Sequence, residues 1–354
     1  MRRFPAFLVM GVVLSLLSAN TPAFAAGGSF PRMQIKVTSH APEADLASRQ
    51  IKFWADTVTR RTGGSITFQY FWGGSLLNIA QQLDGVRDGL TDIGYVASAA
   101  ISGKVPDVSV LEVPFAFPLD DVNMIKFQDE VNTVLDGIFG RYQQKIIFNP
   151  SITADPVTCK SKFLDSAQAW KGALVRTAGR WQSETLKAWG ANPTQINIGD
   201  LYTGMQRGTV DCTLLVYNLL DSFRIYEVAK YIARIDHSIN YTALTINLNV
   251  WNKLGPAAQK VFMEAAEEAE KKGLEFRKGV TVDTIEKFKK AGVRFCTPSQ
   301  AELARLRDAT NQVWEQIRKT QGEAGHRIMA IAAKYRDKVV TGPTEGDRTP
   351  CPGA

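Results

Sequence analysis

Short β-prone segments alternate with helix-forming segments over most of the chain, and this alternation restricts the possible folds more than any other sequence feature. Met33, Ile35 and Val37 alternate with polar residues, which predicts a half-buried strand, and apolar residues at helical spacing follow over 47–58. The same order returns with a strand at 66–70 and a helix at 77–88 that ends before Gly89. Further β-prone segments are 92–96, 145–148, 173–176, 194–196 and 210–215. We therefore expect an α/β protein with mostly parallel strand pairing.

The C-terminal third is dominated by helix-forming sequence. A long charged helix is predicted from Pro256 to about Lys290, and a second from Gln300 to Thr320. The tail from Thr341 onward is rich in Gly, Pro and Thr, and we expect it to lack regular structure unless Cys351 anchors it. With 354 residues, the chain is long enough for two domains.

The N-terminus has the three parts of a secretory signal peptide. Arg2 and Arg3 precede an apolar run at 7–17, and a small-residue cleavage signal ends at Ala25. An uncleaved membrane anchor is the alternative, but this run is shorter than the roughly 20 residues that span a bilayer. Residues 1–25 are therefore predicted to be removed, which gives an exported protein.

The four cysteines are Cys159, Cys212, Cys296 and Cys351, and an exported protein can oxidise them. Four cysteines allow three pairings, and four buried free thiols are the alternative. No pair has C-x-x-C spacing, and His40, His237 and His326 are isolated, so neither a metal site nor a cofactor is predicted.

Charge and motifs give little support to an enzyme or to a nucleic-acid-binding protein. The net charge of +7 is scattered along the chain, which is weak evidence for nucleic-acid binding and compatible with small anionic ligands. The sequence contains no H-E-x-x-H, no G-x-S-x-G, no Walker loop and no G-x-G-x-x-G after a strand. No catalytic residue is predicted, and we expect a protein that is not an enzyme.

Eight motifs in order along the chain resemble one family of binding proteins. They are GGSL at 73–76, LDGVRDGLTDIG at 83–94, LEVPFAF at 111–117, WKGALVR at 170–176, WGANPT at 189–194, DLYTGMQRGTVD at 200–211, YEV at 226–228 and WNKL at 251–254. This series is similar to the periplasmic solute-binding subunits of TRAP (tripartite ATP-independent periplasmic) transporters. The resemblance covers essentially the whole chain after the signal peptide.

The resemblance implies a two-lobed α/β fold with a central cleft, crossing hinge strands and a long helix that spans both lobes. It places 26–153 and 241–281 in lobe I, 154–240 and 282–340 in lobe II, and 341–354 in a C-terminal tail. It also implies a periplasmic monomer that binds an organic acid and delivers it to a small and a large membrane permease subunit. Two other classes remain open: a binding protein for an ATP-driven transporter or a sensor, and a secreted enzyme acting on an organic acid.

Arg176 matches the arginine that clamps the ligand in this family, and its guanidinium offers a planar pair of donors that suits a carboxylate. An ordinary surface arginine after a strand is the alternative. Three departures from the family pattern predict a more apolar cleft. Leu215 stands where many members have a polar asparagine, Thr177 to Gly179 replace a common Val-Pro, and the second basic position of some members falls near Pro156 and Val157.

Other candidate ligand contacts are drawn from the predicted cleft rim. His40 follows the first strand at a position where the family contacts ligand, although a histidine in a turn is an equal alternative. Several aromatic side chains could pack on an aromatic or branched acid, or could belong to the core, and two polar residues could supply hydrogen bonds. The aromatic candidates are Trp72, Tyr95, Trp181, Tyr217 and Tyr241, and the polar ones are Thr213 and Asn218. We therefore favour a monocarboxylate ligand with an apolar or aromatic body.

The resemblance also suggests how the cysteines pair. Cys159 and Cys212 both map to second-lobe strands near the cleft, so a disulfide there would brace the pocket. Cys296 would then pair with Cys351 and fix the tail.

Overall fold

The computed structural model describes residues 30–238 and 240–352. The predicted signal peptide at 1–25 lies outside these residues. Within them, no helix combines the length and the apolar character that a bilayer crossing requires.

Two separate β-sheets confirm the α/β class. The first sheet has five strands in the order β2-β1-β3-β10-β4. Its strands are β1 (Met33–Thr38), β2 (Ile66–Phe71), β3 (Ile93–Ala97), β4 (Gln144–Phe148) and β10 (Thr242–Asn247). The second sheet has six strands in the order β11-β9-β5-β8-β6-β7. Its strands are β5 (Asp155–Cys159), β6 (Leu174–Thr177), β7 (Asn192–Gln195), β8 (Cys212–Leu214), β9 (Tyr231–His237) and β11 (Arg294–Cys296).

The sheets are mixed, so the expectation of mostly parallel pairing is only partly correct. In the first sheet β1 is parallel to β2 and β3, and in the second β6 is parallel to β7 and β8. In contrast, β10 and β5 each run antiparallel to both neighbours. The reason is topological: each of these two strands enters its sheet directly from the other sheet and not through a helical crossover, which parallel pairing requires.

Twelve α-helices surround the sheets in the part of the chain that the structure describes. They are α1 (Leu46–Arg61), α2 (Gln82–Arg87), α3 (Ser98–Ile101), α4 (Asp121–Arg141), α5 (Ala167–Trp170), α6 (Arg180–Trp189), α7 (Ile198–Arg207), α8 (Tyr217–Ser222), α9 (Leu248–Arg277), α10 (Val280–Lys290), α11 (Gln300–Arg318) and α12 (Glu323–Tyr335). Short 3₁₀ turns lie at Ile79–Gln81, Pro106–Glu112, Ile225–Glu227 and Arg336–Lys338.

The long charged helix is broken about two-thirds of the way along its predicted length. It continues as α9 to Arg277, and Gly279 then adopts a positive φ of 79° before α10 begins, a conformation that glycine reaches without strain. The α9 segment packs on α1 of the first lobe, where the Trp54 indole donates to the Phe262 carbonyl at 3.1 Å. The α10 segment packs on α8 of the second lobe. The two helices together therefore cross from one lobe to the other.

The C-terminal helices contact both lobes. On α11, the Leu306 carbonyl accepts a hydrogen bond from the Trp189 indole of α6 at 2.8 Å. On α12, the Tyr335 hydroxyl donates to Glu130 of α4, in the first lobe, at 2.8 Å. The lobe boundaries given above remain a proposal, with α12 as the segment of 282–340 that packs on the first lobe.

Both predicted disulfides are present. Cys159 and Cys212 face each other across β5 and β8 and are bonded, and Cys296 at the end of β11 is bonded to Cys351. Two further hydrogen bonds hold the tail, from the Thr297 N–H to the Thr349 carbonyl at 2.7 Å and from the Cys351 N–H to the Thr297 carbonyl at 3.0 Å. The C-terminal segment is thus anchored at Cys351, as expected.

Candidate ligand-binding site

A cavity of about 40 Å³ lies between the two sheets and is lined from both sides. The first sheet contributes His40, which follows β1, and Tyr95 of β3. The second contributes Asp155 at the start of β5 and Arg176 near the end of β6. Carboxyl ends of strands are the usual place for ligands in α/β folds. Most of the remaining wall is apolar, including Ile79, Ile152, Ile198, Leu214, Leu215 and Leu219.

A larger concavity of about 420 Å³ lies elsewhere, against α9 and the tail. The least exposed charged side chains of this concavity already have partners, since Asp236 pairs with Arg234 and Arg277 pairs with Asp121 and donates to the Leu119 carbonyl at 3.2 Å. The smaller cavity holds charged groups without such partners, and for this reason we place the candidate site there.

Arg176 is held rigidly at the cavity. Its strand pairs with β8 at Thr213, the residue is only 3% exposed, and its Nε donates to the Ile196 carbonyl at 2.8 Å. Within the described residues this is the only hydrogen bond of the guanidinium, so its two terminal nitrogens remain available. Burial lowers the pKa of Arg176 to about 10 and the nearby Asp155 offsets part of this effect, so the side chain is charged at neutral pH.

His40 forms a neutral wall beside Arg176. Its ring is buried, and its Nδ1 has no hydrogen-bond partner among the described residues. Burial, together with the Arg176 charge, lowers the pKa of His40 to about 4 although a backbone contact at Tyr95 opposes the shift. At neutral pH the imidazole therefore brings no charge to the cavity, and its free nitrogen can serve a ligand.

Asp155 is a cavity residue that the sequence analysis missed. It is 1% exposed, and neither carboxylate oxygen has a hydrogen-bond partner in the described parts of the chain. Burial raises its pKa well above the ordinary value, while the Arg176 charge and a contact with the Leu215 backbone offset part of that rise. A signal was present in the sequence, because Asp155 directly precedes Pro156 and Val157, near which the second basic position of some family members falls.

Gly179 lies beside the cavity at a tight contact between the lobes. It caps α6, and a Cβ atom on it would lie 2.1 Å from Glu112 Oε2 and 2.4 Å from the Ala99 carbonyl oxygen. Glu112 is fully buried, and its Oε1 accepts a hydrogen bond from the Trp181 N–H in the first turn of α6. Burial raises the pKa of Glu112 to about 8. The first lobe therefore contacts the N-terminus of a second-lobe helix closely at this point and accepts a hydrogen bond from it.

Of the sequence candidates, Arg176, His40, Tyr95 and Leu215 line the cavity together. Trp181 and Tyr241 belong to a hydrophobic core cluster, and the Tyr241 hydroxyl donates to Asn132. Trp72 stacks on Tyr70 with the ring centroids 4.9 Å apart. Direct ligand contact by these three aromatic residues stays a prediction.

The remaining candidates are buried and already hydrogen bonded. The Tyr217 hydroxyl donates to Asp236 at 2.9 Å, and the Thr213 hydroxyl donates to the Leu214 carbonyl at 3.1 Å. The Asn218 amide donates to Asp45 at 2.9 Å. Their predicted role in ligand binding is likewise untested.

One close group of His, Cys, Asp or Glu side chains with metal-ligand spacing occurs in the described residues, formed by Asp165, Cys296 and Cys351. Both of its sulfur atoms are in a disulfide, so they cannot bind a metal as thiolates.

Residues 37–321 match the model of a protein family described as bacterial extracellular solute-binding protein, family 7, or DctP. The chain belongs to this family. The match confirms the resemblance to TRAP solute-binding subunits. One relative of this family 7 chain is the 2,3-diketo-L-gulonate-binding periplasmic protein of Escherichia coli, 25% identical over 298 residues, or 81% of this chain and 87% of the relative. Another is the ectoine-binding periplasmic protein of Halomonas elongata, 23% identical over 74% of this chain and 79% of the relative.

Solved structures of TRAP periplasmic solute-binding proteins share the fold of this family 7 protein. One from Desulfovibrio salexigens, with bound orotic acid, has a TM-score of 0.81 at 22% identity and covers 87% of this chain and 99% of its own. One from Rhodoferax ferrireducens, with bound malonate, has a TM-score of 0.79 at 21% identity and covers 86% of this chain and 98% of its own. The two-lobed architecture is thereby shown.

Proposed function

We propose that this family 7 protein captures an organic acid anion in the periplasm and delivers it, as a monomer, to the two membrane permease subunits of a TRAP transporter. The observation that carries the proposal is Arg176, a buried and charged guanidinium whose terminal nitrogens lack partners in the described residues and which lies at a cavity between the lobes. Such a group binds a carboxylate through two parallel hydrogen bonds. The ligand is bound and released without chemical change.

The favoured ligand is a monocarboxylate with an apolar or aromatic body. Leu214, Leu215 and Leu219 supply apolar surface next to the guanidinium, and Leu215 stands where many family members have an amide. The comparisons support the wider class of acids, because one relative is named for 2,3-diketo-L-gulonate and two of the solved structures hold orotic acid or malonate.

Ligand entry requires the lobes to separate. The cavity of about 40 Å³ is far smaller than the roughly 300 Å³ or more of typical small-molecule sites. The segments that connect β4 to β5 and β9 to β10 are the crossings about which such a movement would occur.

The test uses the protein without its signal peptide, stripped of ligand by unfolding and refolding. Its melting temperature is measured against aromatic, branched-chain, keto, dicarboxylic and sugar acids, and each hit is titrated by calorimetry. We expect Arg176→Ala to raise the Kd of the best acid by at least about 30-fold, the loss of one buried charge partner. The exposed Arg207→Ala is the matched control.

Unchanged affinity in Arg176→Ala would contradict the proposed clamp. Mass spectrometry of the bound acid after prolonged incubation tests whether the protein changes its ligand chemically. Conversion of the acid would show an enzyme and not a carrier.

A further inference from the structure

The carboxyl group of Asp155 is buried and, apart from a contact with the Leu215 backbone, neither of its oxygens has a hydrogen-bond partner among the described residues. An ionised carboxylate that leaves water without a partner carries a large free-energy cost, and buried polar groups in native proteins nearly always have partners. An unpartnered carboxylate at the wall of a binding cavity therefore needs a reason, and a missing ligand group is the simplest one.

The strand pairing explains why Asp155 and Arg176 face the same space. Val157 of β5 pairs antiparallel with Leu214 of β8, and Arg176 of β6 pairs parallel with Thr213. The start of β5 therefore lies at the same sheet edge as the ends of β6 and β8. Asp155 and Arg176 both line the cavity at this edge.

The two charges do not neutralise each other by direct contact. Arg176 uses its Nε for the Ile196 carbonyl, and neither oxygen of Asp155 is hydrogen bonded to the guanidinium. The neighbouring Asp236 is already paired with Arg234 at 2.5 Å. One guanidinium and one carboxyl group thus face the same cavity and remain separate.

The charge balance distinguishes between ligand classes. His40 is neutral at neutral pH, and burial raises the pKa of both Tyr95 and Asp155. A cationic group beside Asp155 would favour its ionised form, and Arg176 and Asp155 would then bring no net charge. A simple anion would pair with Arg176 but would leave Asp155 either as an uncompensated negative charge or as a buried carboxyl group without a partner. A ligand with one positive and one negative group leaves neither.

We infer that the ligand is a zwitterion, whose carboxylate binds Arg176 and whose protonated nitrogen binds Asp155. This inference rests on the proposed function, because it assigns the ligand class of the same site. The apolar wall from Ile79, Ile198 and Leu215 suits an aliphatic or aromatic body, so apolar α-amino acids and cyclic amidinium acids are the candidate compounds.

Matched ligands that differ only at the nitrogen test the inference on the unmodified protein. L-leucine is compared with 4-methyl-2-oxopentanoate and 2-hydroxy-4-methylpentanoate, L-phenylalanine with phenylpyruvate, and ectoine is tested as an amidinium acid. Calorimetry on the stripped protein gives each Kd. We expect a nitrogen-containing member to bind at least about 30-fold more tightly than its keto or hydroxy counterpart, as for a buried charge pair.

Asp155→Asn keeps the shape of the side chain and removes its charge. We expect it to weaken binding of the zwitterion by about 30-fold or more and to bring the matched ligands within about threefold of one another. Asp200→Asn, on an exposed residue of α7, is the control. Melting curves show whether each variant folds, and the ligand series on the unmodified protein decides the question if Asp155→Asn does not.

The outcomes separate this inference from the proposed function. If keto or hydroxy acids bind as tightly as their amino counterparts and still depend on Arg176, the zwitterion is wrong and acid capture stands. If only dicarboxylates or sugar acids bind, the zwitterion is again wrong. If no acid or zwitterion binds, the proposed function itself fails.

Discussion

The imidazole of His40 stacks on the ring of Tyr95, with the centroids 4.8 Å apart and the planes 6° from parallel. The stack joins the loop after β1 to β3, so that two neighbouring elements of the first sheet present one flat wall to the cavity. The same burial that makes the wall also keeps the histidine neutral.

The neutral state of His40 predicts a pH-dependent stability. Because its pKa falls from 6.5 to about 4 on folding, the unfolded chain binds a proton in this interval and the folded protein does not. The free energy of unfolding should therefore decrease as the pH falls from about 6.5 to about 4, by about 3 kcal/mol from this residue. Urea unfolding of the wild type and His40→Asn at several pH values measures the difference. If the free energy of unfolding changed with pH in the same way in both proteins, the prediction would be wrong. His237 is present in both proteins, so its contribution cancels in the difference.

The buried Glu112 predicts a free energy of unfolding that decreases as the pH rises, over a higher pH range than the effect of His40. Its pKa rises from 4.5 to about 8, so the stability that its neutral form contributes is complete below pH 4.5 and is lost as the pH rises to about 8. Glu112→Gln keeps the acceptor for the Trp181 N–H and cannot ionise. Between pH 5 and 8 the wild type should lose on the order of 3 kcal/mol relative to this variant, measured by urea unfolding. An unchanged difference between the two proteins would show that Glu112 is already ionised at pH 5.

The close contact at Gly179 allows a test of whether the lobes must close to bind ligand. A Cβ at this position would overlap Glu112 and the Ala99 carbonyl, so Gly179→Ala should hold the lobes apart and weaken ligand binding at least about tenfold. Gly137→Ala is a matched control, because a Cβ there meets no atom within 4 Å. Small-angle scattering with saturating ligand should give a larger radius of gyration for Gly179→Ala than for the control. Equal radii and equal affinities would show that the contact is not needed for closure.

We expect the side chain at position 215 to determine whether the site prefers apolar or polar ligands. It lines the cavity where many family members have an asparagine, so Leu215→Asn adds a donor and an acceptor and removes apolar contact. We expect affinity for the apolar ligand to fall by about tenfold, the loss of roughly 1.5 kcal/mol of burial. Affinity for dicarboxylates or sugar acids should rise. Leu215→Met, which keeps the apolar character, serves as the control, and a stronger apolar preference in Leu215→Asn would refute this role.

Sequence patterns predicted the elements that carry their own signal. The strand at 33–37 and the helix at 47–58 appear as β1 and α1, because alternation and helical spacing report directly on burial. Arg176 was found at the end of its strand through a motif and lies at the cavity.

The features that the sequence did not predict depend on how the strands pair in the tertiary structure. Strands β5 and β10 have no alternating pattern, since all five residues of β5 and all six of β10 are buried, and the crossing between lobes determines where they lie. In the sequence, Asp155 is a polar residue directly before Pro156, and this local pattern indicates a strand boundary. Only the pairing of β5 with β8 turns it toward Arg176.

The anchored tail has a consequence for the solubility of the folded protein. Strand β11 is the outermost strand of the second sheet, and the tail runs beside its end through a parallel bridge between Thr297 and Pro350. Pro350 has no N–H with which to extend the sheet further, and the Cys296–Cys351 bond prevents the tail from leaving. Reduction of that bond would therefore free the tail and uncover the sheet edge at Thr297, and aggregation by edge-to-edge strand pairing would begin there.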